Sequence, residues 1–293
     1  MTIKSKKSPI ELLTHNSISN VKKKKKKKKN AKIELLAPAG SFGSLIAAVE
    51  AGADAVYFGI KGFNMRDRGK NFTLSDLPKI KKICETKGLE GRKVKRYLTL
   101  NIIAYDKELK KIEEIIKRSK KYINAIICWD LGIIRLCKKY KVEFHISTQA
   151  SISNIEAAKF YKKLGAKRLV LARELNLKQI KEISKIIDLE VLGHGAMCVS
   201  VSGRCFMSQF LFNQSANRGK CLQPCRRSYC VDDNQGNKLK LQNNYVMSAK
   251  DLCSLPFIEK LKKTGIKSLK IEGRNREPEY VEQVIKIYRK ALD

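Results

Sequence analysis

The chain alternates short β-branched or apolar runs with longer amphipathic stretches, from residue 33 to residue 293. The short runs are typical of buried parallel strands, and the stretches between them have the 3.6-residue period of helices. Eight strand-helix units in about 260 residues match the size of a TIM-type (β/α)8 barrel, and we predict this α/β fold for residues 32–293. The predicted strands are 33–36, 55–58, 97–102, 125–128, 143–146, 168–171, 189–192 and 268–271.

An open doubly wound sheet is the alternative architecture. It is less favoured because no Gly-x-Gly-x-x-Gly motif follows a strand. Residues 194–265 separate the seventh strand from the eighth, and we predict that they form an insertion closed by a helix over 251–264. In a barrel this insertion lies at the face where active sites are built.

Four cysteines within the insertion have the spacing Cys-x6-Cys-x15-Cys-x3-Cys: Cys198, Cys205, Cys221 and Cys225. Their neighbours are Gly, Ser, Arg and Asn, which offer little apolar surface to bury a thiol. Four thiolates are typical ligands of an iron-sulfur cluster or of zinc. The gaps exceed the two-residue spacing common in zinc modules and no His interrupts the run, so a 4Fe-4S cluster is favoured over zinc. Cys84, Cys128 and Cys137 lie among apolar residues, and we expect them to be buried core residues.

The first 31 residues are strongly basic. Eleven lysines, including the run 22–29, face one glutamate within residues 1–30, so we predict a disordered Lys-rich N-terminal tail over 1–31. The net charge of the whole chain is +34, which makes RNA a candidate partner. No export signal or apolar run of about 18 residues is present. We therefore expect a soluble, cytoplasmic protein with reduced thiols.

Polar residues follow several of the predicted strands. The candidates for an active site are Arg173 and Glu174 after the sixth strand, His194 after the seventh, and Glu272 and Arg274 after the eighth. Carboxyl ends of barrel strands direct such groups into one basin. The alternative is that they form ion pairs on the rim of the barrel. His145, between Phe144 and Ile146, is interpreted as a packed side chain.

Several segments resemble the collagenase-like peptidase family, a peptidase family of unassigned catalytic type. The similarity extends over nearly all of residues 33–293, and the segment around Cys198 and Cys205 is its most specific part. The matching segments are ELLAPAG, GADAVYFG, STQASISN, LVLARELNL, GAMCVSVSGRCFMS, NRGKCLQPCR, MSAKDLC and SLKIEGRNREPEYV.

The resemblance implies a barrel with a four-cysteine iron-sulfur cluster whose ligands match Cys198, Cys205, Cys221 and Cys225. It further implies oxygen-independent hydroxylation of a tRNA wobble uridine, of a ribosomal RNA cytidine or of a ubiquinone precursor, with prephenate as a candidate hydroxyl donor. The chain lacks the C-terminal extension of the larger RNA-modifying members, which leaves the substrate open. The alternatives are a collagenase-like hydrolase and a non-catalytic factor associated with RNA. No His-Glu-x-x-His or Gly-x-Ser-x-Gly motif supports a hydrolase.

Roles for the five candidates follow from the anions that the resemblance implies. A small dicarboxylate or an RNA phosphate at the barrel mouth requires fixed cations, and a planar guanidinium suits a carboxylate. Arg173 and Arg274 are predicted to hold the anion, and His194 to donate a proton. Glu174 or Glu272 is predicted to orient the arginines.

Overall fold

A computed structural model describes residues 32–86, 88, 91–238 and 245–293. The predicted disordered tail, 1–31, lies outside these residues. Within the described ranges, eight parallel strands close into a barrel, because β6 pairs with β7, β7 with β9 and β9 with β1. The strands are β1 (Glu34–Pro38), β2 (Ala55–Gly59), β3 (Lys95–Thr99), β4 (Ala125–Cys128), β5 (Phe144–Ile146), β6 (Arg168–Val170), β7 (Asp188–Gly195), the antiparallel β8 (Leu252–Cys253) and β9 (Ser268–Ile271). The predicted TIM-type barrel is confirmed.

Helices connect successive strands, and several begin where the sequence offers a capping side chain. Ser41 accepts a hydrogen bond from the Ser44 backbone N–H, and Asn176 accepts one from the Gln179 N–H. Ser and Asn are among the residues most favoured at this position, so the sequence itself indicates both N-caps. The helices are α1 (Phe42–Glu50), α2 (Leu77–Thr86), α3 (Asp106–Ser119), α4 (Leu131–Lys139), α5 (Ile155–Leu164), α6 (Leu177–Ile183), α7 (Met207–Phe212), α8 (Ile258–Lys262) and α9 (Pro278–Leu292). None of the helices in the described ranges combines the length and the apolar composition that a membrane crossing requires.

The barrel has one apolar layer outside its sheet and a smaller one inside it. Side chains alternate along β2, so Val56 and Phe58 pack in the outer layer, whereas Ala55 and Tyr57 belong to the inner one. The inner layer consists of Leu36, Ala55, Tyr57, Tyr97, Ala125 and Ile127. Cys84, Cys128 and Cys137 are buried in the outer layer, as expected.

A buried ion cluster completes the interior of the barrel. Arg168 of β6 donates a hydrogen bond to Glu34 of β1, and its Nη1 lies 3.7 Å from Glu190 Oε2. Burial would raise the pKa of Glu34, but hydrogen bonds and charge from Arg168 and Lys95 lower it to about 2. Arg168 therefore balances two carboxylates in a region that water does not reach.

The insertion between β7 and β9 differs from the prediction at its end. The helix predicted over 251–264 is wrong in its first half, because β8 occupies residues 252–253 and a single 3₁₀ turn follows before α8. Cys253 pairs with His194 across the antiparallel β7–β8 ladder. The Ser254 N–H also donates a hydrogen bond to Gly193 O at 3.0 Å, so this segment is held against β7 and does not form a helix.

Replacing Arg168 with Met should lower the free energy of unfolding by about 3–5 kcal/mol, because two buried carboxylates lose their shared cation. Urea unfolding measures the change. The matched control is Lys159→Met, which breaks the exposed ion pair with Glu156 and should cost about 0–1 kcal/mol. Equal, small losses in both variants would contradict the role given to Arg168.

Candidate active site at the mouth of the barrel

A cavity of about 160 Å³ lies at the mouth of the barrel, beneath the insertion. Its lining comes from residues in or directly after several barrel strands and from the cysteine-rich loop. Among the described residues that line it, five are cations and one is a carboxylate, so the cavity is electropositive. The cations are Arg66, Arg173, Arg226, Lys270 and Arg274, the carboxylate is Glu272, and the neutral polar residues include Tyr57, Thr99, Asn101, Ser147, Thr148 and Gln149.

Glu272, directly after β9, is held from two sides. Tyr57 Oη donates to its Oε2 at 3.0 Å, and Arg66 Nη2 donates to its Oε1 at 3.0 Å. Burial would raise the pKa of Glu272, but the charges of Arg66, Lys270 and Arg173 lower it to about 2. Glu272 is therefore a fixed anion at neutral pH, and it orients Arg66.

Arg66 lies in the loop between β2 and α2, and asparagine side chains hold this loop in shape. Asn71 Nδ2 donates to the carbonyl oxygens of Arg66 and Gly69 at 2.9 and 2.8 Å. Asn64 Nδ2 donates to Asn71 Oδ1 at 3.0 Å. These bonds replace the backbone ladder that a strand or helix would supply, so the loop can present Arg66 at a defined position.

Arg274 lies at the mouth, as predicted, but its guanidinium group is already engaged. Nη1 donates to Asn64 Oδ1 at 2.8 Å and Nη2 donates to Asn71 Oδ1 at 2.5 Å. The residue is 4% exposed, and burial lowers the pKa of Arg274 to about 10, so it stays cationic at neutral pH. Arg274 fastens the β2–α2 loop to the end of β9, and it also lines the cavity, so its predicted role in anion binding stays a prediction.

Arg173, after β6, lines the cavity as predicted. Within the described ranges no hydrogen bond or ion pair engages its guanidinium group, although its charge contributes to the low pKa of Glu272. Its donors are therefore available to a bound anion.

Glu174 and His194 do not line the cavity, which corrects the predicted site. The turn that brings Arg173 to the cavity leaves Glu174 exposed. The pairing of β7 with β9 is irregular between Leu192 and His194; Leu192 lines the cavity, whereas the His194 ring packs against Tyr288 of α9 with centroids 5.4 Å apart. Burial lowers the pKa of His194, which leaves it a mostly neutral ring between the sheet and α9.

His145, which we interpreted as packed, is buried inside the barrel. Its ring meets Tyr97 edge-on, with centroids 4.8 Å apart. Burial lowers the pKa of His145, and the residue does not line the cavity.

Three of the four predicted ligand cysteines lie at the cavity. Cys198, Cys221 and Cys225 line it. Burial raises the pKa of the Cys225 thiol, and the charge of Arg226 opposes that effect. The Gln223 N–H donates to Cys221 Sγ at 3.4 Å.

In the part of the chain that the structure describes, no set of three or more Cys, His, Asp or Glu side chains has the geometry to hold a single metal ion. Cys198, Cys221 and Cys225 nevertheless line the same cavity. They therefore form a neighbouring set of donors, not a closed single-ion site. Cys230 and Cys253 are exposed. Cys253 belongs to β8 and pairs with His194 of β7.

Two contacts press the cysteine-rich loop onto the barrel. Arg218 donates two hydrogen bonds to Glu108 of α3, and its guanidinium lies 4.0 Å from the centre of the Tyr105 ring. Gly219 has a positive φ of 84°, and a Cβ there would lie 2.1 Å from Asn64 O. Only glycine permits this approach, which brings the loop against the loop that carries Arg66.

Tyr57, Arg66, Asn101 and Arg226 line the cavity but are not among the residues predicted from the sequence. The predicted residues all follow strands in the second half of the barrel, whereas Arg66 follows the second strand. The polar run FNMRDRGKN after the second strand was a usable signal, because the carboxyl ends of all barrel strands meet at one face.

A (β/α)8 barrel with an electropositive mouth and a four-cysteine loop over it defines the class of this protein. Comparison with known families agrees, since the model of peptidase family U32 matches residues 40–293. The chain belongs to this family, which confirms the resemblance seen in its segments.

Three relatives show how the family varies. The chain is 45% identical to a collagenase of Porphyromonas gingivalis, with 89% of this chain and 65% of the relative covered. It is 38% identical to tRNA hydroxylation protein P1 of Bacillus subtilis, covering 89% and 63%. It is 37% identical to the 23S rRNA 5-hydroxycytidine C2501 synthase of Escherichia coli, covering 89% and 39%. The chain thus spans less than two thirds of the length of these relatives.

The solved structure of the U32 peptidase Mk0906 has the same fold. The TM-score is 0.55 at 11% identity, over 90% of this chain and 98% of that one. At this identity the likeness concerns the fold alone.

Replacing Glu272 with Gln should make the free energy of unfolding less dependent on pH in the acidic range. The pKa of Glu272 is lowered from an ordinary 4.5 to about 2, so the ionised carboxylate adds stability that is fully present above about pH 4.5 and lost as pH falls through about 2. The difference in unfolding free energy between wild type and Glu272→Gln should shrink over that window, as measured by denaturant unfolding at several pH values. The exposed control Glu174→Gln should change stability by no more than about 0.5 kcal/mol at pH 7. A difference between wild type and Glu272→Gln that is the same at every pH would contradict the assignment.

Proposed function

We propose that this protein is an iron-sulfur protein that acts in oxygen-independent hydroxylation of RNA, at a tRNA wobble uridine or a ribosomal RNA cytidine. The observation that carries the proposal is the position of the four-cysteine loop directly over an electropositive cavity with an unengaged arginine. Two relatives are named for hydroxylation of tRNA and of ribosomal RNA, which supports RNA as the substrate.

The residues present fit an iron-sulfur cluster. Cys198, Cys221 and Cys225 line the cavity and Cys205 belongs to the same loop, so these four thiols would hold the cluster. Burial raises the pKa of the Cys225 thiol and the charge of Arg226 opposes that effect, while the Gln223 N–H donates a hydrogen bond to Cys221 Sγ. A bound cluster supplies one-electron transfer.

The cations below the cysteines suit a small anion that shares the cavity. Arg173 offers free guanidinium donors, and Arg66 is oriented by Glu272. A guanidinium binds a carboxylate through two parallel hydrogen bonds, so a dicarboxylate such as prephenate, the candidate hydroxyl donor, can be held at both ends. Lys270 lies 4.1 Å from the centre of the Tyr57 ring and adds a point charge at the base of the cavity. These residues position the donor, and the RNA base must enter from the open side.

A collagenase-like hydrolase is the alternative function, and it rests on the name of one relative. The side chains at the cavity favour hydroxylation over hydrolysis. Glu272 has a pKa of about 2, so it is a poor general base at neutral pH. The His194 imidazole is packed against α9 instead of facing the cavity.

Serine substitution of each proposed ligand should empty the metal site. We expect Cys198→Ser, Cys205→Ser, Cys221→Ser and Cys225→Ser to lose at least about half of the iron and sulfide bound per chain, because a cluster of this kind takes four thiolates. The matched controls are Cys230→Ser and Cys253→Ser, which change exposed cysteines and should keep the iron content of wild type. The measurement is iron and sulfide analysis of anaerobically purified full-length chain. Loss of iron in Cys253→Ser together with retention in Cys225→Ser would overturn the ligand assignment.

Replacing Arg173 with Lys should preserve the fold and the iron content yet reduce hydroxylated nucleoside by about tenfold or more, because the bidentate contact with the anion is lost. Mass spectrometry of RNA nucleosides from cells that express only this variant measures the product. Arg135→Lys, an exposed change on α4, is the matched control and should give wild-type levels. Unchanged product in Arg173→Lys would remove this residue from the active site.

A further inference from the structure

The cysteine-rich loop exposes an unusual amount of apolar surface. Phe206 is 69% exposed and Phe210 is 89% exposed, the highest value among the large hydrophobic residues that the structure describes. Val199, Val201 and Leu211 are also exposed, at 48%, 45% and 47%. We call these five residues the aromatic surface. A cluster of exposed apolar side chains in a polar loop marks an interaction site.

Local structure fixes the two phenylalanines on one face of α7. Phe206 and Phe210 are four residues apart, and the Phe210 N–H donates to Phe206 O at 2.8 Å, so the side chains are neighbours. Ser208 is fully buried, and its Oγ accepts a hydrogen bond from the Leu222 N–H at 3.0 Å. The buried serine anchors the helix and leaves the opposite face open.

The charged residues of the loop that carries the aromatic surface all have the same sign. Residues 196–230 contain five cations and no Asp or Glu: Arg204, Arg218, Lys220, Arg226 and Arg227. Arg204, Lys220 and Arg227 are exposed, and the Arg227 guanidinium lies 4.6 Å from the centre of the Phe212 ring. Exposed aromatic rings among unbalanced cations are complementary to a chain of bases and phosphates.

The aromatic surface adjoins the cavity. Cys198, Ser202 and Gly203 line the cavity, while Val199 and Val201 between them are exposed. The same short loop therefore faces the cavity on one side and solvent on the other. A strand that rests on the outer side can place a neighbouring nucleotide at the opening.

We infer that the aromatic surface binds an unpaired RNA strand by stacking bases on Phe206 and Phe210, with Arg204, Lys220 and Arg227 contacting the phosphates. The inference rests on the proposed function, since it takes RNA as the substrate. Stacking needs an open base face, so a single strand fits the surface and a duplex does not. Shape and charge thereby select unpaired nucleotides next to the cavity.

The test compares RNA affinities of the full-length protein by fluorescence anisotropy, using a short unpaired RNA oligonucleotide and a duplex of the same sequence. Phe210→Ala and Phe206→Ala should each weaken binding of the single strand by about tenfold and leave duplex binding nearly unchanged. Phe210 is almost fully exposed, so its truncation should not disturb the fold. Phe160→Ala is the matched control, because Phe160 is 59% exposed on α5 and should not affect either affinity.

The outcomes separate this inference from the proposed function. If the wild type binds the single strand and both phenylalanine variants bind it equally well, the aromatic surface is not the RNA site, and the proposed function is unaffected. If the wild type binds no RNA, both are overturned. Two further measurements on Phe210→Ala test other occupants, for the case in which its RNA affinity is unchanged. Loss of binding to anionic lipid vesicles would assign the surface to a membrane. Loss of self-association in light scattering would assign it to a second copy of the chain.

Discussion

The ion pair between Arg66 and Glu272 is the contact on which the mouth of the barrel depends. It joins the loop after β2 to the end of β9, and Tyr57 holds the same carboxylate from inside the barrel. Glu272 is the one carboxylate among the described residues that line the cavity. Without its charge, the neighbouring cations would repel one another at short range. One fixed anion therefore permits a dense group of positive charges that still leaves Arg173 free for a ligand.

The barrel fold brings these charged residues together at one face, and specific contacts of the insertion then cover that face. Parallel strands in a closed barrel deliver their carboxyl ends to one face, so residues from distant parts of the chain share one cavity. The insertion then covers that face because Arg218 is bound to Glu108 and Gly219 allows close approach to Asn64. The thiols of Cys221 and Cys225 come to lie over the cations as a result. The loop thus has cysteines that line the cavity and phenylalanines that are exposed to solvent.

Periodicity and capping allowed most of the barrel to be predicted, because both are local properties of the sequence. The predicted strands 125–128 and 268–271 coincide with β4 and β9, and Asn176 caps α6. The helix predicted over 251–264 was wrong at its start because Cys253 pairs with His194, a contact between distant segments. A strand irregularity next to His194 also turned that residue away from the cavity. The importance of Arg66 depends on Glu272, which is 206 residues away along the chain, and no local pattern reports such a contact.

The central claim, that this protein acts in RNA hydroxylation, is tested most directly by mass spectrometry of tRNA and ribosomal RNA nucleosides. Cells with and without the gene are compared after growth without oxygen. The account predicts that one hydroxylated pyrimidine, a uridine in tRNA or a cytidine in ribosomal RNA, disappears with the gene, returns with the wild-type chain and does not return with Cys198→Ser. Identical nucleoside profiles with and without the gene would contradict it.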